Sequence, residues 1–241
     1  THFLTDSPPT LVTSASTAFR HLAVLASAAA LAGTPGEPLQ AQDSTRTLRF
    51  TTTEGTWVSL DVSADGRTLA LEILGDIYTI PVEGGRAQPV LTGPAFQSQP
   101  RYSPDGTQLT FISDATGSDN IWIASADGSA ARPLSRLPRA SLVSPAWAPD
   151  GRSILVTVVD AFGTRTAELW RFDVATGEGR RVVENLGGQP QPLVSAPAPG
   201  PYGAWPAADG ASIWFTNVTP RPYGSRAGAS STLMRVPPSG G

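Results

Sequence analysis

The sequence predicts an all-β fold, a β-propeller of four-stranded antiparallel blades that is incomplete, with about four blades present. Three observations lead there. An Asp-Gly corner recurs at Asp65-Gly66, Asp105-Gly106, Asp150-Gly151 and Asp209-Gly210. Each corner is followed by a β-branched run and then a short strand bearing an aromatic or aliphatic residue, such as Ile77-Tyr78, Ile121-Trp122, Leu169-Trp170 or Leu233-Met234. No amphipathic helical period of any length occurs after residue 42. A repeat of roughly 40 to 45 residues that holds several short strands is the length of one propeller blade.

The first unit runs from Trp57 to Ser63, turns at Ala64-Asp65-Gly66, continues through Leu69 to Leu74, turns again at Gly75-Asp76 and ends with Pro89 to Leu91 after Glu83-Gly84-Gly85. The second gives Pro100 to Ser103, Pro104-Asp105-Gly106, Leu109 to Ser113, Asn120-Ile121-Trp122 and Pro133-Leu134. In the third the series is Trp147, Pro149-Asp150-Gly151, Ile154 to Val159, Glu168-Leu169-Trp170 and Arg181 to Val183. The fourth has Trp205, Ala208-Asp209-Gly210, Ile213 to Thr216 and Thr232-Leu233-Met234. Proline presets φ for the turn, Asp accepts local amides and Gly takes the left-handed conformation that closes it. Ala64 and Ala208 replace that proline in the outer copies, which predicts two less preorganised corners. Asn185 to Tyr202, dense in Pro and Gly, reads as an insertion between blades. The runs Leu69 to Leu74 and Ile154 to Val159 are nearly continuous in apolar residues, which predicts sheets covered on both faces.

The two ends differ in kind from the middle. Residues 1–41 read as a signal peptide or leader: Arg20 and His21 precede the apolar run Leu22 to Ala32, too short to span a bilayer, and a small residue at Ala41 suits cleavage. Residues 42–241 form the propeller, expected to be periplasmic or secreted and without a membrane span once the leader is removed. At the other end, Leu233 to Gly241 aligns with Ile77 to Gly85, so the chain is expected to stop inside its fourth blade. A net charge of −3 and a pI near 5.4 give no basic footprint for nucleic acid. With no cysteine there is no disulfide framework.

These residues resemble TolB-type propeller repeats, through the Ser103-Pro104-Asp105-Gly106 turn, the Asn120-Ile121-Trp122 strand and the Ile77-Tyr78 strand. The resemblance covers Phe50 to Gly241. The segment Thr53-Glu54-Gly55-Thr56-Trp57, with Leu60-Asp61-Val62-Ser63 and Gly75 to Pro81, is similar to the start of large exported amidohydrolases. In that family such a propeller precedes a metal-dependent barrel hydrolase. The same blade type occurs in the TolB protein of the cell-envelope Tol system and in propellers that gate serine oligopeptidases. The resemblance therefore implies a partner: a C-terminal catalytic domain beyond Gly241, or an envelope protein or peptide.

Both histidines, His2 and His21, fall inside the leader, so residues 42–241 hold neither His nor Cys. A Ser-His-Asp triad, a Cys nucleophile and a His-rich metal site are thereby unavailable to this segment. No catalytic, cofactor-binding or metal-ligating residue is assigned, and a divalent metal is implied only for a domain outside it. Asp114 to Asn120 has oxygen ligands and a glycine but lacks the alternation and distal Glu of a calcium loop, so a hairpin turn is the preferred reading. The tryptophans Trp57, Trp122, Trp147, Trp170, Trp205 and Trp214 could line a groove, but their recurrence favours packing between blades. Asn217-Val218-Thr219 matches a glycosylation sequon of little weight in a chain that reads as bacterial, and Gly84-Gly85 and Gly240-Gly241 are turn glycines without a phosphate-loop context.

Overall fold

Each Asp-Gly corner joins the first two strands of a separate antiparallel sheet, and the sheets follow one another along the chain. The computed structural model describes residue 55 and residues 58–159, 166–183, 200–219 and 230–240. All belong to one compact unit, Thr52–Gly241. Blade 1 holds β1 (Leu60–Val62), β2 (Thr68–Ile73), β3 (Asp76–Pro81) and β4 (Gln88–Leu91). Blade 2 holds β5 (Gln97–Tyr102), β6 (Gln108–Ser113), β7 (Asn120–Ser125) and β8 (Arg132–Pro133). Blade 3 holds β9 (Ser141–Trp147), β10 (Ser153–Val159), β11 (Ala167–Asp173) and β12 (Gly179–Val183). Blade 4 has three described strands, β13 (Gly200–Pro206), β14 (Ile213–Thr219) and β15 (Ser230–Val236). Strand order within every sheet is sequential, and there is no helix among the described residues. The leader, residues 1–41, and residues 185–199 of the expected insertion fall outside the described residues.

The first strands β1, β5, β9 and β13 pack against one another in turn and form the inner side of the stack. In blades 2 to 4 this strand carries the same bulge, at Gln99-Pro100, Ser144-Pro145 and Gly203-Ala204. Gln99, Ser144 and Gly203 have positive φ values of 54°, 58° and 65°. Their amides turn toward the preceding blade. Gln99 N–H donates to Ser59 Oγ at 3.0 Å, Ser144 N–H to Gln99 Oε1 at 2.7 Å and Gly203 N–H to Thr157 Oγ1 at 3.3 Å. A second row lies one step along the strands, where Tyr102 N–H donates to Asp61 Oδ2 at 2.8 Å and Trp147 Nε1 to the Arg101 carbonyl at 3.1 Å.

Side chains in the second strand alternate between neighbours, as the strand period of two requires. Ile154, Val156 and Val158 look back and cluster with Ile112 and Ile121 of blade 2. Leu155 looks forward and clusters with Ile213 and Phe215 of blade 4. Six of the seven residues of β10 are consequently buried. The expectation of sheets covered on both faces fails in blade 1, where only Ala70 and Glu72 of β2 are buried. Nothing described packs behind that sheet, so Leu60 and Val62 stay 52% and 44% exposed.

All four corners close with the same bond, from Gly66, Gly106, Gly151 and Gly210 N–H to the carbonyls of Ser63, Ser103, Ala148 and Ala207 at 2.8–2.9 Å. The glycines sit at φ of 66–72°. Proline is thus dispensable to this geometry, and the outer corners are not looser in form. What separates the corners is the residue two before Asp: Ser63 and Ser103 donate to Asp65 and Asp105 at 2.6 Å, where Ala148 and Ala207 offer no hydroxyl. Several boundaries also differ from expectation. The blade 1 hairpin turns at Leu74-Gly75, with Asp76 already paired to Ile73, and β13 begins at Gly200, inside the expected insertion.

Candidate functional site

Four-stranded antiparallel blades place two kinds of connection at opposite ends of the stack. One end carries the Asp-Gly corners together with the turns Glu83-Gly84-Gly85, Asp127-Gly128-Ser129 and Thr176-Gly177-Glu178. The other carries the connections between second and third strands and those between blades.

At the corner end the aspartates are spent on their own turns. Asp105 Oδ1 accepts from Ser103 Oγ at 2.6 Å, Thr107 N–H at 3.0 Å and Thr107 Oγ1 at 2.9 Å. The Ser103 hydroxyl, followed by the Thr107 amide, holds the Asp105 carboxyl below the ordinary carboxylate range. The Ser63 and Ser129 hydroxyls do the same for Asp65 and Asp127, and the Thr176 amide for Asp173. Groups tuned in this direction stay ionised, which suits turns and not acid–base work. Two clefts open between successive corners. One of about 310 Å³ lies between Pro104-Asp105 and Pro149-Asp150, and one of about 280 Å³ between Pro149-Asp150 and Ala208-Asp209, with Arg171 in its wall. Arg171 Nε donates to Ser153 Oγ at 2.7 Å and Nη1 to the Pro238 carbonyl at 3.3 Å, so the guanidinium ties blade 3 to blade 4.

The turn glycines at this end have a use that sequence reasoning missed. A Cβ on Gly128 would lie 2.2 Å from the Val90 carbonyl oxygen, one on Gly177 2.6 Å from that of Leu134 and one on Gly240 2.4 Å from that of Val182. Each of these turns therefore rests on the last strand region of the preceding blade. Gly84 is their equivalent in blade 1, with φ of 91° and nothing within 4 Å.

At the loop end, Asp114 to Asn120 is a fastened hairpin. Asp114 Oδ1 accepts Phe96 N–H at 2.8 Å, and Asn120, 2% exposed, donates to Thr116 Oγ1 at 3.1 Å while its Oδ1 accepts Ser135 Oγ and Leu137 N–H at 2.8 Å. Burial pushes the Asp119 carboxyl up against the pull of the Leu142 amide. Burial also raises the Tyr102 and Tyr78 phenols, aided by Asp61 and Asp76. Among the described residues no group of three His, Cys, Asp or Glu is placed to hold a metal ion.

The packing reading of the tryptophans holds at Trp147, which is 8% exposed, and at Trp122 and Trp170, stacked on Phe111 and Phe172. It fails at Trp205, 76% exposed. Trp147 stands three residues before Asp150, but Trp205 stands four before Asp209, and a one-residue offset moves a strand side chain to the opposite face. Trp205 pairs with Trp214 on the forward face of blade 4, where Arg235 sits 5.7 Å above the Trp214 ring. Trp57 lies outside the described residues. Asn217, the sequon residue, is buried with Oδ1 unpartnered.

No protein-family model matches the chain. The solved structure of a putative TolB from Agrobacterium tumefaciens superposes with a TM-score of 0.57 at 21% identity, covering 74% of this chain and 57% of that one. The fold is a TolB-like β-propeller. By sequence, the chain is 40% identical over 84 residues to an uncharacterized peptidase, YuxL, of Bacillus subtilis strain 168, covering 34% of this chain and 13% of that protein. It is 34% identical over 82 residues to the Tol-Pal system protein TolB of Albidiferax ferrireducens, covering 34% of this chain and 18% of that protein. The chain thus matches only part of the length of each of these relatives.

Proposed function

We propose that residues 42–241 are the N-terminal propeller of an exported amidohydrolase-like, metal-dependent hydrolase, in which the propeller scaffolds or shapes access to a catalytic domain. The observation behind this reading is a pairing: corner and turn aspartates, Asp65, Asp105, Asp127, Asp150, Asp173 and Asp209, that are committed to their own turns, and an opening at Glu54-Gly55-Thr56-Trp57 with Gly75-Asp76-Ile77-Tyr78 like that of such enzymes. The divalent metal and its ligands belong to the other domain. Export rests on the leader, with cleavage after Ala41 and a periplasmic or secreted destination; no helix among the described residues is long and apolar enough to cross a membrane. The gene sequence past codon 241 tests the proposal. A frame encoding a His-x-His-bearing domain supports it, and a stop codon or a serine-hydrolase domain overturns it.

A second reading is favoured by the 40% identity to a peptidase over 84 residues. Here the propeller gates a serine peptidase domain, or, as a TolB-like module, holds a periplasmic protein partner. A Ser-centred domain in the same frame would select the first form, and retention of one specific partner by the purified chain the second.

A further inference from the structure

We infer that Leu74 and Phe96, at the loop end of blade 1, form a docking point for a segment of a separate polypeptide that presents apolar side chains flanked by basic ones. The inference is independent of which catalytic domain accompanies the propeller.

Leu74 and Gly75 are the two residues of a tight hairpin and both have positive φ, 56° and 85°. That is the primed turn favoured by Asn-Gly or Asp-Gly. A bulky side chain is disfavoured there, so Leu74 is a poor choice for the turn. It is also 77% exposed, so no burial within the described fold compensates. A residue that breaks a local rule without a structural return marks a position kept for another purpose.

Phe96 makes the same case from the next connection. Its ring lies against Gly75, where a Cβ would come 2.8 Å from Phe96 Cδ2, yet the side chain is 55% exposed. The segment is fastened on both sides. Phe96 N–H donates to Asp114 Oδ1 at 2.8 Å, Gln97 N–H to the Gly75 carbonyl at 2.8 Å and Gly93 N–H to Asp76 Oδ1 at 3.2 Å. Two exposed apolar side chains thus stand on a hydrogen-bonded backbone on either side of Gly75, with Asp76 and Asp114 bonded to the same segment. Preorganised apolar anchors with a charged rim are the pattern of a small recognition spot, and the negative rim selects a positive segment. The corresponding connection of blade 2, Asp114 to Asp119, offers only Ala115 among polar residues and glycine.

The test uses the full ¹⁵N-labelled chain and a defined probe, the acetylated and amidated peptide Lys-Lys-Leu-Phe-Lys-Lys, with Glu-Glu-Leu-Phe-Glu-Glu as control. The lysine peptide should shift the Gly75, Asp76, Gly93 and Phe96 amides. Leu74→Asn should weaken binding by about tenfold or more while leaving the thermal midpoint unchanged or raised, because Asn suits the turn better. Phe96→Ser should weaken binding similarly. Absence of shifts at millimolar peptide, equal shifts with the glutamate peptide, retained affinity in Leu74→Asn, or a lowered thermal midpoint in that variant would each overturn the inference.

Discussion

Blade 3 and blade 1 share strand order and corner geometry, yet six of seven residues are buried in β10 and only two of six in β2. The two second strands are similarly apolar, Ser-Ile-Leu-Val-Thr-Val-Val against Thr-Leu-Ala-Leu-Glu-Ile. Burial is therefore a property of having a neighbour on each side and not of the strand itself. A blade cannot cover both its faces alone, and stability in such a stack comes largely from nearest-neighbour interfaces.

The contrast is broken most directly by truncating one leucine between two blades and one on the uncovered side of blade 1. Leu155→Ala removes a side chain 2% exposed between blades 3 and 4 and should cost about 2–5 kcal/mol in denaturant unfolding. Leu60→Ala, 52% exposed on the back of blade 1, should fall within about 0.5 kcal/mol of the parent. Equal costs would mean that the back of blade 1 is covered.

The turn glycines sharpen the same comparison. Gly128→Ala and Gly84→Ala share the strain of a positive φ, but only the first drives a Cβ into the Val90 carbonyl. Gly128→Ala should cost about 1–3 kcal/mol more than Gly84→Ala, the range of overpacking, by the same unfolding measurement.

Charge at the corners gives a smaller, pH-dependent effect. Because Asp105 is held below its ordinary range, its stabilising contribution is present above the unfolded value and is lost as pH falls through the folded one. Asp105→Asn should therefore be less stable than the parent at neutral pH, with the gap closing below about pH 4; thermal melts across pH check this. Asp119 carries the opposite sign, since burial raises it. Its ionisation weakens the fold as pH rises through the folded value, so Asp119→Asn should raise the melting temperature at neutral pH and lose that gain in acid.

Corners and strand order were legible in the sequence because Asp-Gly turns and β-branched runs are local chemistry. The pairing of Ile213 with Val236 repeats that of Leu69 with Ile80, as the alignment of their segments implies. The inner-strand bulges left no local signal, because Gln99 and Ser144 adopt positive φ immediately before prolines, against the preference of their own dipeptides. Ser59 Oγ and Gln99 Oε1, accepting from the Gln99 and Ser144 amides respectively, hold them there, and each acceptor belongs to the preceding blade. Trp205 was placed on the wrong face for a related reason: composition recurs from blade to blade, but only register decides direction. The glycines of the Gly128 class were readable as turns, whereas the approach of a neighbour's carbonyl was not. Of the loop end, the Asp114 hairpin was legible; the exposed Leu74–Phe96 pair was not, since Leu74 contradicts the turn it occupies.

Hydrogen–deuterium exchange resolved to single strands tests the central claim, that these are equivalent blades stabilised by their neighbours, with blades 2 and 3 flanked on both sides among the described residues and blades 1 and 4 on one. Amides of β10 should exchange slowest, those of β6 next, and those of β2 and β14 markedly faster. Uniform protection across the four second strands, or slowest exchange in β2, would contradict the account.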